Sequence, residues 1–236
     1  EGKMKLLTQE IASPKLAKHE ASNYYTAILY LAGAGDSRLC PAATAGCRAV
    51  CLVTEAGRGS FDSVKQARQA RTNQLFDERE KFLATLRADI KAVIRKARKL
   101  GKLPAVRLNG GSDLDWSEIY AEFSEVQFWE YTKRPDLAIK LSKLANVHVT
   151  YSHNEHTTNR IMGLMLANQI NVAMVFDLWS RKGGDLPAAV GNIPVIDGDV
   201  HDLRFLDEKG VIVGLRLKSI TKPGEKINLQ FVQKGA

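Results

Sequence analysis

Short apolar runs, each closed by glycine or by polar residues, alternate along this chain with longer stretches whose apolar positions recur every three or four residues. TAILYLAG, Thr26 to Gly33, is a compact apolar block with a glycine stop and predicts a strand. From Val64 to about Leu100 the residues Leu75, Phe76, Phe82, Leu83, Leu86, Ile90, Val93 and Ile94 fall at helical spacing. One helix of that length is unusual in a compact domain, and Asp77 to Arg79 is the predicted interruption. AVRLNGGSD, Ala105 to Asp113, predicts a second strand ending in two glycines, and Ser117 to Phe123 a short helix. VQFWEYTK, Val126 to Lys133, is a third strand, Pro135 to Leu144 a helix, and VHVTYSHNE, Val147 to Glu155, a fourth strand. A helix from about Thr157 to Asn168 and a fifth strand, NVAMVFD, Asn171 to Asp177, continue the alternation. IPVIDGD, Ile193 to Asp199, and VIVGLRLK, Val211 to Lys218, supply two further strands.

Strands that are apolar throughout and separated by helices argue for a parallel sheet with helical crossovers. The expectation is an α/β fold: a parallel-stranded (βα) partial or closed barrel, TIM-barrel-like, forming a single domain over residues 26–236. Residues 1–25 are expected to form an irregular N-terminal extension. No linker rich in proline, glycine or serine divides the strands, and no run approaches the roughly 20 apolar residues that cross a bilayer.

Polar residues gather where the apolar runs end. Asn109, Gly110, Gly111, Ser112 and Asp113 close the second strand; Glu130, Tyr131, Thr132 and Lys133 the third; Ser152, His153, Asn154 and Glu155 the fourth; Asp177 the fifth. In a parallel α/β sheet these carboxyl ends share one rim, where ligands and catalytic groups sit. His148, inside an apolar strand, reads as a structural histidine, and one of Phe128 and Trp129 belongs to the core. The DGDVHD segment, Asp197 to Asp202, spaces carboxylates like the oxygen ligands of a hard metal, with no glutamate closing the pattern.

All three cysteines lie in CPAATAGCRAVC, Cys40 to Cys51, directly after the first strand and so on the same rim. A loop of small residues offers little core for them to join. A disulfide framework calls for an even count in a short secreted chain. Structural zinc prefers four ligands in two short-spaced pairs, and no second pair exists. Three thiolates around a 4Fe-4S cluster, its fourth iron open, account for the C-x6-C-x3-C spacing. Arg48 and Arg58 stand near enough in sequence to favour the thiolate form.

The formal net charge of +8 suggests an anionic partner. The densest basic stretch is KAVIRKARKLGK, Lys91 to Lys102, on a predicted helix, and reads either as a solvated face or as a phosphate contact.

The order of parts resembles the radical S-adenosylmethionine superfamily, with Cys40, Cys47 and Cys51 after TAILYLAG and NGGSD after AVRL. The usual superfamily spacing is C-x3-C-x2-C. The resemblance implies S-adenosylmethionine at the open iron, with Asn109, Gly110, Gly111, Ser112 and Asp113 at its methionine end and Glu130 and Ser152 also binding the cofactor. It places Tyr131, Lys133, His153, Glu155 and Asp177 around a substrate, and asks for a reducing partner such as a flavodoxin or ferredoxin. The blocks CPAATAGCRAVCL, VRLNGGSD, EYTK, PVIDGD and LRFLD are also similar to a family of bacteriophage and prophage proteins, which implies a protein of the bacterial host's cytoplasm. Two other functions remain open on the residues alone. One is a nucleic-acid-binding or replication-associated protein with a structural metal or cluster, using Lys91 to Lys102, Arg68 and Arg71. The other is a metal-dependent hydrolase built on the rim aspartates and histidines.

Overall fold

The computed structural model describes residues 5–9, 22–33, 36–49, 51–52, 61–179, 184–218 and 232–234. The strands are β1 Leu7–Gln9, β2 Tyr24–Leu29, β3 Leu103–Arg107, β4 Gln127–Thr132, β5 Val147–Ser152, β6 Asn171–Trp179, β7 Ala189–Val190, β8 Ile193–Asp197 and β9 Ile212–Leu217. The helices are α1 Ala45–Ala49, α2 Asp62–Asp77, α3 Arg79–Lys99, α4 Ser117–Glu122, α5 Pro135–Leu141 and α6 Asn159–Ala167. The predicted interruption of the long helix falls at Glu78, whose non-helical backbone (φ −134°, ψ 52°) separates α2 from α3.

All nine strands form one sheet in the order β1-β2-β3-β4-β5-β6-β9-β8-β7. From β2 to β6 the strands are parallel and follow chain order. Among the described residues the sheet is mixed and is not closed into a barrel. It has two ends, β1 antiparallel to β2 and β7 antiparallel to β8. A closed (βα) barrel would need a strand–helix repeat up to the last strand; here the repeat stops at β6, and a hairpin and a long crossover follow. Leu7–Gln9, expected within an irregular extension, is the edge strand β1: three residues are too few to carry a period.

Right-handed crossovers between neighbouring parallel strands put their helices on one face of the sheet. Accordingly Leu86, Ile90 and Val93 of α3, Ile119 and Tyr120 of α4, Leu137 and Leu141 of α5 and Met165 of α6 pack with Val106, Phe128, Val149 and Val172 in the main core. The other face carries a smaller cluster of Ile28, Ala105, Trp129 and Leu203, with Tyr24, Tyr30 and Phe205 against it. The chain between β8 and β9 crosses that face as a strap, turning through one 3-10 helix at Arg204–Leu206.

The strap is fastened by charge. Arg107 of β3 reaches Asp202 at 3.2 Å, and the fully buried Arg204 reaches Asp207 at 3.3 Å and the His201 carbonyl.

Candidate functional site

The carboxyl ends of β2, β3, β4 and β5 bring the cysteine loop, the glycine turn and Lys133 together. Thr44 caps the short helix α1: its Oγ1 accepts the Cys47 N–H at 3.1 Å, and its carbonyl accepts the Arg48 N–H. Glu155, after β5, accepts the Gly46 N–H at 3.2 Å and also binds the Thr44 hydroxyl. The loop is tied to the next strand by Asp113 N–H to the Leu39 carbonyl (2.8 Å) and by the Cys40 thiol donating to the Gly111 carbonyl (3.7 Å).

The three thiols are half-buried, unbonded to one another and close enough to act electrostatically on Cys40. Burial pushes the Cys40 thiol up to about 12, against the pull of the Lys133 ammonium. Lys133 reaches the Cys47 sulfur and faces Asp113 and Cys40. Burial lowers its affinity for a proton, but these three groups more than offset that, and the ammonium is held above its ordinary value. The cations on the thiols are thus Lys133 and, beside Cys51, Arg68, whose guanidinium lies 5.0 Å from the Tyr30 ring. Arg48, expected in that role, donates instead to the Ala43 carbonyl, and Arg58 lies outside the described residues.

The glycine turn divides into framework and free valence. Asn109 Oδ1 accepts from Ser112 Oγ, Leu114 N and Trp116 Nε1, while its amide donates to the Leu114 carbonyl, so Asn109 and Ser112 are spent on holding the turn. Gly110 is demanded by packing against β2 rather than by a ligand: a Cβ there would stand 2.5 Å from Ile28 Cγ2 and 2.6 Å from the Leu29 carbonyl. Asp113 differs. Its Oδ2 accepts the Lys133 N–H at 3.0 Å, whereas its buried Oδ1 has no partner.

Of the other expected residues, Glu130 does not open onto the rim. It is fully buried on the helix side, accepting from Leu108 N, Asn109 N and Tyr120 Oη at 2.7–2.9 Å. Burial raises its pKa to about 7, with Arg107 and those three donors opposing. Tyr131 faces the strap, its ring 4.7 Å from the Arg107 guanidinium, and burial raises its phenol. Ser152 pairs with Ala173 of β6, His153 N donates to the Ala173 carbonyl, and Asp177 is exposed on β6. The alternation of the EYTK block carries this division: Tyr131 and Lys133 share one face, Glu130 and Thr132 the other.

The DGDVHD segment is neutralised internally. Arg216 Nη1 lies 2.8 Å and 2.9 Å from the two oxygens of Asp197 and 3.4 Å from Asp199, and Asp202 is held by Arg107. Carboxylates satisfied by guanidinium are poor ligands for a hard cation, which removes the basis for a hydrolytic metal pair there. Among the described residues no three His, Cys, Asp or Glu side chains converge on one metal ion, and no helix is long and apolar enough to cross a membrane.

The family model of Gene product 88 matches residues 5–233, and the chain belongs to this phage-type family. No curated protein and no solved structure matches it.

Proposed function

We propose that this member of the Gene product 88 family is an iron-sulfur enzyme holding a 4Fe-4S cluster through Cys40, Cys47 and Cys51 and taking S-adenosylmethionine at the iron without a thiolate. The observation that carries this reading is the meeting of three thiols at the carboxyl rim, two of them, Cys40 and Cys47, facing the half-buried Lys133. Cys40, Cys47 and Cys51 would each supply one thiolate to such a cluster, leaving one iron without a cysteine. The donor set is soft and suits iron and sulfide. Held by these three cysteines, the cluster would supply one-electron reduction of the sulfonium of S-adenosylmethionine with cleavage of a carbon-sulfur bond, the electron coming from a flavodoxin- or ferredoxin-type donor.

The chain's residues have separate tasks. Lys133 offsets thiolate charge beside Cys47. Thr44 and Glu155 fix the turn that presents Cys47. The unpartnered Oδ1 of Asp113 is the acceptor for the cofactor's ammonium group, and Tyr131 with the strap below closes the site against water from the sheet side.

The test is anaerobic reconstitution with iron and sulfide, followed by iron and sulfide analysis and electron paramagnetic resonance of the reduced protein. Four irons per chain and a cubane signal that shifts on adding S-adenosylmethionine are expected. Full iron content in a Cys40→Ala, Cys47→Ala or Cys51→Ala variant overturns the ligand assignment. An unshifted signal removes the S-adenosylmethionine step alone.

A further inference from the structure

We infer that the carboxyl-terminal half of α3 is a docking surface for the phosphate backbone of a nucleic acid, separate from the thiol centre and not dependent on it. The stretch from Lys91 to Lys102 holds six lysines and arginines and no acid, in a chain whose whole excess of positive charge is eight. Five of these six lie on α3 itself. Lys91, Arg95, Arg98 and Lys99 are exposed. The first three stand about one turn apart, the steps rising about 4.5–6 Å along the helix.

Several surface cations elsewhere have acidic partners: Arg38 with Asp36, Lys81 with Glu78, Arg87 with Glu118 and Glu122, Lys140 with Asp115. Among the described residues, Lys91, Arg95, Lys96, Arg98 and Lys99 make no ion pair or side-chain hydrogen bond. The negative end of the helix dipole accounts for cations in the last turn, which holds Lys96, Arg98 and Lys99, but its effect fades within that turn and leaves Lys91 and Arg95 unexplained.

The surface faces away from the rim. Leu103, four residues after the end of α3, opens β3, and its N–H donates to the Asn23 carbonyl ahead of β2. The basic end thus lies by the amino ends of the strands, roughly the 31 Å length of a 21-residue helix from its other end. An interfacial membrane helix would offer an apolar face to lipid. Here that face, Phe82, Leu83, Leu86, Ile90 and Val93, is buried against the sheet. A regularly charged polymer suits the row better, since each duplex strand presents a phosphate about every 3.4 Å of axis.

The experiment is binding of a fluorescently labelled 20-base-pair DNA duplex to the full chain between 50 and 200 mM salt, with phosphatidylserine vesicles as a parallel probe. Three phosphate contacts predict a slope of log affinity on log salt of about −3. Lys91→Ala and Arg95→Ala, both outside the last turn, should each flatten the slope by about 1. Lys143→Ala, an exposed cation elsewhere, should leave it unchanged, as should Cys47→Ala. Thermal melts identify any variant whose fold has changed, and the slope of the unmodified chain stands without variants. Absence of duplex binding at 50 mM salt, or a slope indifferent to both substitutions, overturns the inference. Vesicle binding lost in these variants, without duplex binding, would assign the face to anionic lipid instead.

Discussion

Lys133 is a lysine among cysteines, and its removal separates charge from ligation. Lys133→Met keeps all three thiols yet strips the ammonium from Cys47. We expect the reconstituted variant to lose iron to a chelator at about tenfold lower chelator concentration than the unmodified chain, since groups supporting metal ligands commonly contribute 10–100-fold in affinity. Equal resistance to the chelator would show that Lys133 has no part in holding the centre. The cysteine cluster was legible in the sequence because the chain has no other thiol. Lys133 was legible as a rim residue, but not as the partner of Cys47, which is brought to it from 86 positions away by the order of β2, β3 and β4. The resemblance to the radical S-adenosylmethionine superfamily places Glu130, Asn109 and Ser112, all at strand ends, on the cofactor. Which side of the sheet each faces, and which backbone donors claim it, are settled by tertiary contacts.

Among the elements, the glycine turn and the strap tolerate least. Gly110→Ala drives a Cβ into the Leu29 carbonyl and Ile28, and β2 and β3 must part to admit it. Loss of soluble, cooperatively melting protein is expected, and a melt within a few degrees of the unmodified chain would show that the turn can yield. Asp202→Asn leaves the buried Arg107 guanidinium without its counter-charge, a loss of about 3 kcal/mol when one partner of a buried pair is removed. Urea unfolding measures it directly. The alternation of strands and helices through β6 could be read from apolar periodicity because each element is long enough to repeat its period. The edges β1 and β7, of three and two residues, show none. The strap's fastening of Arg107 to Asp202, and the Arg216 to Asp197 pair between the strands that flank it, join positions 95 and 19 apart, and nothing local in the sequence signals them.

For the whole molecule, the half-buried His148 and the buried Glu130 set opposing responses to pH. His148 is lowered from 6.5 to about 4, by burial first and then by Lys209 and Arg204. Between these values the unfolded chain binds the extra proton, so this contribution is present above 6.5 and lost as pH falls to 4. Glu130 is raised from 4.5 to about 7, and between those values the folded chain holds the extra proton. Its contribution is therefore present below 4.5 and lost as pH rises through 7. Each amounts to roughly 3 kcal/mol across its window at 1.36 kcal/mol per unit, and between 4.5 and 6.5 they cancel. In that interval His148→Gln should lose stability as pH rises, Glu130→Gln should gain it, and the unmodified chain should change less than either. Parallel urea midpoints in all three would refute the assignment.

The position of β9 has a consequence for how the molecule is made. It lies between β6 and β8, so among the described residues β7 and β8 reach the rest of the sheet through it, yet it is the last of the described strands in chain order. During synthesis at about 5–20 residues per second, the growing polypeptide can assemble β2 to β6 in order as each emerges. The β7–β8 hairpin must wait, undocked, until Ile212–Leu217 has left the ribosome. A nascent chain stalled before residue 212 should therefore expose that hairpin to protease while β2 to β6 are already protected, and release from the stall should close both together.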